Sequence, residues 1–577
     1  MNTRAMLPRF FTFAVPLAGV MALVTIGRVA WVLQDIRDAE KPQHISVPGP
    51  EKETEQDSGI PEPDGPKHTE DAEIEGIPSI IKKTSVAYAS VSDFSAFSRD
   101  IDSVPLMKIW NSPGVQKGLE PVSVLVKEAW DKFQSKYRFS LHRIFKGLEP
   151  HAGETECVIS DLSFFRGTYT VRLAVCCSIK GDTNAFIARF KDNASGLMEQ
   201  KTVNGINVFQ KKGRYGTFSV FFKEGRMFAA AGKDMCRNLI NLLRNRNRIA
   251  GDRLADNKDF KACYSRLRRD KGLFVYIADT GFPGKQILKG PFAVSCSVKA
   301  GKVHERIMLP SVNVKKYADD SRGIRTGIRD TENIIARVHG RLTGESVEEL
   351  AALSFRMVGS GSKIKLGRQK QGTFWDHMYQ ICMRAKAPAS GVLKWDLSSH
   401  LPSWYFVADL RKNPGLRERL ESLQKKYKTT KIRRSDGLDI NIVQLGEERL
   451  FGSFCYFTEG DTAVYSYSSQ LLKKVPVPVF AKGSGTVDAD FQCTVDAGET
   501  ADFIISKSLQ KFFTMLKWVR LEHISRLDKV GGLIGTLQCR GTHGPVYSVL
   551  EAESNTGVTG IIPLTVYLRN VCNLREE

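Results

Sequence analysis

The sequence predicts an α+β fold: two duplicated units of antiparallel sheet with packed helices, behind one N-terminal transmembrane helix. Three observations predict it. The phrase "GTFSVFFKEG" from Gly216 returns, little changed, as "GSFCYFTEG" from Gly452. Short runs of alternating apolar and polar residues, bounded by turn residues, surround both copies, as strands require. The 18 residues from Phe10 to Gly27 carry no charge.

That apolar run comes first in the chain. At about 1.5 Å per residue it reaches about 27 Å, close to the thickness of a hydrocarbon core. Arg4 and Arg9 precede it, and Arg28 and Trp31 stand near its far end as snorkelling and aromatic anchors. The expected layout is a cytoplasmic tail over 1–9 and an uncleaved signal anchor over 10–33. A cleaved signal would need an A-x-A-like site, and none is convincing. A buried core helix is the third alternative, but the segment stands apart from every folded region. Over 34–80 an acidic, proline-rich linker follows, with six prolines from Pro42 to Pro66. It has no apolar periodicity and cannot bury enough surface to offset its ordering entropy.

The first unit is expected over 85–310. "SVAYASV" reads as a strand, and Asp93 caps the helix "DFSAFSRDI". A second helix after Ser112-Pro113 places Val115, Leu119, Val122, Val126, Trp130 and Phe133 on one face. "TYTVRLAVCCSI" and "AFIARF" read as strands. "GINVFQ" follows, then the hairpin of the repeated phrase with "RMFAAAG" as its return strand. Met235, Leu239, Leu242 and Leu243 then keep helical spacing.

The second unit, over 330–572, repeats the order. "GVLKWDL" and "WYFVADL" are strands. "NPGLRERLESLQKKY" is a helix, set against "NASGLMEQK" in the first half. "DINIVQ" matches "GINVFQ", and Ser468 or Ser469 caps a helix after the hairpin. Each half closes on a long hairpin, from Gly290 and from Gly531. The expected unit is a meander of strands with helices on one face.

Charge narrows the partners. The chain of 577 residues has a net charge of +21, although the stretch from Glu51 to Gly76 sets ten acidic residues against Lys52 and Lys67. The remainder is more basic still, and favours anionic lipid or an anionic envelope polymer. Arg244, Arg246, Arg248 and Arg253 form the candidate anion-binding stripe; its structural alternative is a solvated helix end. No aromatic platforms accompany these arginines, so nucleic acid is not expected.

No catalytic signature is present. The glycine-rich "VGSGSKIKLG" from Val358 lacks the GxxxxGK[ST] spacing. No GxSxG, HExxH or CxxC occurs, so no catalytic residue, cofactor or metal is assigned. His339 and Glu345 lie six apart without an evident partner. The eleven cysteines fall mostly in apolar runs and read as small buried hydrophobes; in an exported chain some pairs could oxidise.

The segments "SVAYASVSDFSAFSRDIDSVPLMKIWNSPGVQKGLEPV", "GRMFAAAGKDMCRNLINLL" and "RLADNKDFKACYSRL…GLFVYIAD" together resemble the bacterial family called domain of unknown function 3352. The resemblance covers roughly Ser85 to Pro310, with a fainter echo to the end. It implies a body behind one membrane segment and supplies no active residues. The cysteine count and the strong basicity depart from that family. The expectation is an inner-membrane, single-pass protein with its N-terminus inside and its body exported, acting as a binding or scaffold module. An envelope hydrolase with a site assembled from distant residues is the alternative.

Overall fold

The structure is a computed structural model. It describes residues 74–104, 144–145, 147–148, 151–165, 168–213, 216–232, 234–245, 251–268, 272–278, 291–310, 324–325, 327–330, 332–340, 389–394, 403–410, 414–445, 453–477, 479, 486–487, 489–499, 535–543 and 547–555. The expected anchor at 10–33, the helix at 112–133 and the glycine-rich turn at Val358 lie outside these. Among the described residues no helix is long and apolar enough to cross a membrane. The linker expected over 34–80 is described only from residue 74, and there Ile77, Ile80 and Ile81 are already buried.

The predicted fold class is corrected by the strand pairing. The described strands make one antiparallel sheet of twenty and a separate two-stranded ribbon, with few helices. Two compact units divide near residue 270, except that residues 96–104, ahead of that point in the chain, belong to the later unit.

In the unit before that point, the strands are β1 (Ala87–Val91), β2 (Ala152–Phe165), β3 (Thr168–Ile179), β4 (Glu199–Val203), β5 (Ile206–Gly213), β6 (Gly216–Lys223) and β7 (Arg226–Gly232). They pair in the order β1-β2-β3-β7-β6-β5-β4. The segment "AFIARF", expected as a strand, is instead part of helix α2 (Thr183–Ala194), which follows α1 (Phe94–Ser103). Asp182 caps α2, accepting from the amides of Asn184 and Ala185. Phe186, Phe190 and Ala194, four apart, form its buried stripe. "NASGLMEQK" is correspondingly not a helix; it holds the end of α2, a turn through Gly196 at φ 70°, and the start of β4.

Helices also cover both faces of this sheet, not one. Residues 218–221 of β6 are buried consecutively, which a strand shows when neither face is solvated. On one face Phe190 meets Phe209 and Phe222 edge-on at 5.3 and 5.2 Å. On the other lies α3 (Met235–Arg244), whose Met235, Cys236, Leu239 and Ile240 are buried. The β6–β7 turn has Glu224 and Gly225 both at positive φ, the two-residue turn whose twist suits a hairpin. Helix α4 (Lys258–Leu267), capped by Asn257, closes the unit.

The second unit holds β8 (Leu273–Ile277), β9 (Phe292–Lys299), β10 (Lys302–Pro310), β12 (Ile334–Gly340), β13 (Ala389–Lys394), β14 (Ser403–Asp409), β15 (Thr429–Arg433), β16 (Asp439–Gln444), β17 (Ser453–Glu459), β18 (Thr462–Ser466), β20 (Phe491–Asp496), β21 (Thr536–His543) and β22 (Tyr547–Ser554). Their order is β8-β9-β10-β22-β21-β20-β12-β13-β14-β18-β17-β16-β15. Strands β11 (Ile324–Arg325) and β19 (Thr486–Val487) form the ribbon. The hairpin β9–β10, expected to close a first unit at 310, pairs along its length with β22 instead. Helix α5 (Pro414–Lys426) packs Leu416, Leu420 and Leu423 onto Phe454, Tyr456 and Tyr465. Helix α6 (Ser469–Lys474), capped by Ser468, packs Leu471 and Leu472 against Val407, Phe457 and Val464 on the opposite face.

Candidate functional site

Strands β12, β13, β14 and β20 bring polar side chains onto one face. His339 stands opposite Ser390 on one side and Gln492 on the other. Two residues along, Arg337 stands opposite Val392 and Thr494, and Val392 opposite Tyr405. Directly opposed residues in antiparallel strands share a face, so these belong to one surface. A register shift between Ile334 and Ala336 sets Lys394 opposite Ile334.

Asp330, just before β12, is the anion of the group. Lys394 Nζ donates to both its carboxylate oxygens at 2.7 Å, and the Tyr405 hydroxyl donates to Oδ2 at 3.2 Å. All three are buried. Burial, then the Asp330 charge, pushes the Tyr405 hydroxyl well above its ordinary range, so it remains a donor. Both carboxylate oxygens are thus hydrogen-bonded, which helps a buried ion pair to persist.

Arg337 is not matched in that way. One guanidinium nitrogen donates to the Asp330 carbonyl at 2.8 Å. Its Nε is buried without an acceptor, and no carboxylate among the described residues pairs with it. Gln492 Oε1 is likewise buried without a donor. His339 Nδ1 and Ser390 Oγ lie 2.8 Å apart, both residues about 5% exposed. Burial, then the Arg337 charge, lowers the imidazole to about 4, so it is neutral at pH 7. His339 therefore has a partner that its sequence neighbourhood did not reveal; Glu345 lies outside the described residues.

The polar row continues outward. Gln492 faces Arg540, Arg540 faces Glu551, and Glu551 faces Arg306. Glu551 accepts from Arg306 at 3.0 Å and lies 3.5 Å from Arg540. Lys302 and His304 attend Glu553 at 2.9 and 3.5 Å.

The arginines singled out in the sequence sit in the other unit. Arg244 ends α3 and donates to the Asn204 carbonyl. Arg253 grips Asp256 through Nε and a terminal nitrogen at 2.8 and 3.1 Å, which holds that carboxyl at about 2. Arg246 and Arg248 lie outside the described residues. Asp330, Arg337, Ser390, Lys394 and Tyr405 were not singled out. The available signal was Arg337 and His339 two apart in "IIARVHG", which puts both on one face of a strand.

No family model matches the chain, and no curated protein does. Among solved structures it is similar to crystal forms III and IV of TP0453. The identity is 10% for each, with TM-scores of 0.23 and 0.24. The matches cover 42% and 41% of this chain and 82% and 81% of those chains. A likeness at that score carries no argument about fold or function.

Proposed function

We propose that this chain is a membrane-anchored binding module of the cell envelope, and that it holds an anionic partner through the sheet face around Arg337. The observation that supports this is the state of Arg337 itself. Lys394 is neutralised by Asp330, while among the described residues the half-buried Arg337 guanidinium has only a carbonyl. A carboxylate or phosphate brought to it gains a charge-assisted hydrogen bond in a partly desolvated setting. Arg306 and Arg540 extend the same face around a single Glu551. The basic composition and the apolar run at 10–27 support a place at an anionic envelope surface.

The hydrolase reading has one observation in its favour, the His339–Ser390 contact. A neutral histidine beside a serine hydroxyl has the chemistry of a base and nucleophile. Both side chains are nearly closed to solvent, so a substrate carbonyl has no approach to Oγ without displacing β12 or β13. Binding is the better supported function.

The test uses the full chain in neutral-lipid nanodiscs, mixed with phosphatidylglycerol liposomes and sedimented. Binding is expected at ~0.1 M salt and lost near ~1 M, where the screening length falls from about 10 Å to about 3 Å. Arg337→Gln should weaken it, and Ser390→Ala should not. No binding at low salt, or equal binding by Arg337→Gln, removes the proposal.

A further inference from the structure

Cys493 on β20 and Cys539 on β21 are directly opposed in the ladder. Among the described residues no other two cysteines are. Cys157 faces Val175, Cys176 faces Glu156, Cys296 faces Glu305 and Cys455 faces Ser466. These two are also the half-exposed ones; the other seven described cysteines are buried, and all nine are free thiols.

We propose that Cys493 and Cys539 are a thiol–disulfide site: they close a reversible cross-strand disulfide by exchange with an oxidising disulfide. Opposed residues of an antiparallel pair have Cα atoms about 4.5–5.5 Å apart, inside the range of about 4.4–6.8 Å that a disulfide spans. Both side chains leave the same face of the sheet, so bridging requires rotation about χ1 and no change of backbone register. The neighbours across the ladder are Ala552 beside Cys539 and Val338 beside Cys493, neither of which competes for a thiol. Cys296 stands farther along the same row, with Glu305 and Ala552 between it and Cys539.

The exchange balances as follows. The thiolate of one cysteine attacks a disulfide R–S–S–R and expels one thiolate R–S⁻, leaving a mixed disulfide. The second cysteine, as thiolate, attacks the protein sulfur of that bond and expels the other. Two protein thiols are oxidised, one disulfide is reduced to two thiols, and the two cysteine protons end on the released thiols. Burial pushes Cys539 up to about 12, so exchange is slow at neutral pH and quickens as pH rises. The product staples β20 to β21 inside the second unit.

This inference is independent of the anion-binding reading. The test incubates the reduced full chain, in detergent, with oxidised glutathione at pH 8, followed by acid quench, alkylation, digestion and mass spectrometry. A peptide pair joined through Cys493 and Cys539 is expected, with dithiothreitol restoring both thiols. Cys493→Ser should leave Cys539 as a glutathione mixed disulfide. Two outcomes overturn the proposal: both thiols staying alkylatable under conditions that oxidise a reference dithiol, or either one linking to Cys382, Cys572 or any other cysteine.

Discussion

Glu156 on β2 is about 1% exposed, yet its carboxyl is well supplied. It accepts from the Ile77 amide at 2.9 Å and from the Tyr88 hydroxyl at 2.7 Å, and Arg226 stands 3.9 Å away. The carboxyl fastens the turn at Ile77–Ser79 to the sheet. Gly76 permits this: its φ is 82°, and a Cβ there would come within 2.4 Å of the carboxylate. Burial raises the Glu156 pKa; the Ile77 and Tyr88 hydrogen bonds and the more distant Arg268 oppose that rise, and Glu154 adds to it. A carboxyl whose folded pKa lies above its unfolded value contributes stability below the unfolded value, and that stability is lost as pH rises through the folded one. Asp256 has the opposite sign, since its lowered pKa makes its contribution vanish in acid. The clean measurement is therefore the difference between Glu156→Gln and the parent chain. Glutamine keeps an oxygen for the Ile77 amide and cannot ionise. We expect its melting temperature to gain on the parent's as pH goes from 5 to 8; a difference flat with pH would refute the raised pKa.

At the scale of elements, α2 shows what sequence reasoning reached and where it stopped. "AFIARF" is a mostly apolar run of six positions, too short for its periodicity to separate a strand from one turn and a half of helix. Asp182, two residues before Asn184, decides for helix by bonding two free amides. The consequence is measurable. Phe190 is fully buried among Phe145, Phe209 and Phe222, whereas Ile187, one step around, is only partly buried. Phe190→Ala should cost about 3–5 kcal/mol in chemical denaturation. Ile187→Ala should cost clearly less, and Asp182→Ala about 1 kcal/mol. Equal losses at 187 and 190 would contradict the helical stripe. The hairpins were legible because each is local: "KEG" and "KAG" mark turns between strands that alternate. The polar face was not. Ser390 and His339 are 51 positions apart and Lys394 and Asp330 are 64 apart, and only register brings such residues together. Period two placed Arg337 with His339, but no spacing rule names the residue on the next strand. For the same reason helices were expected on one face only, since a consecutive buried run such as 218–221 does not say what covers each side.

The whole molecule carries its charge unevenly. A net charge of +21 includes ten acidic residues between Glu51 and Gly76, so beside an acidic bilayer that stretch would be repelled and the more basic body attracted. That division is useful only if both lie on the same side of the membrane. Orientation is the remaining variable, and the flanking residues pull both ways. Arg4 and Arg9 ahead of the apolar run favour an N-terminus inside. Arg28, Arg37 and Lys41 lie beyond it, with Asp35, Asp38 and Glu40 among them. Acidic neighbours offset cations poorly in setting orientation, but Arg28 is close enough to the run to be drawn into the interface. No second uncharged run of 18 residues follows to bring the chain back. We therefore expect the body outside the cytoplasm, the same side that would expose Cys493 and Cys539 to oxidising disulfides. Protease added to intact spheroplasts should digest the chain down to the membrane-protected N-terminal segment. If the body is cut only after lysis, the orientation is reversed, and anionic surfaces and oxidants of the exterior are no longer within its reach.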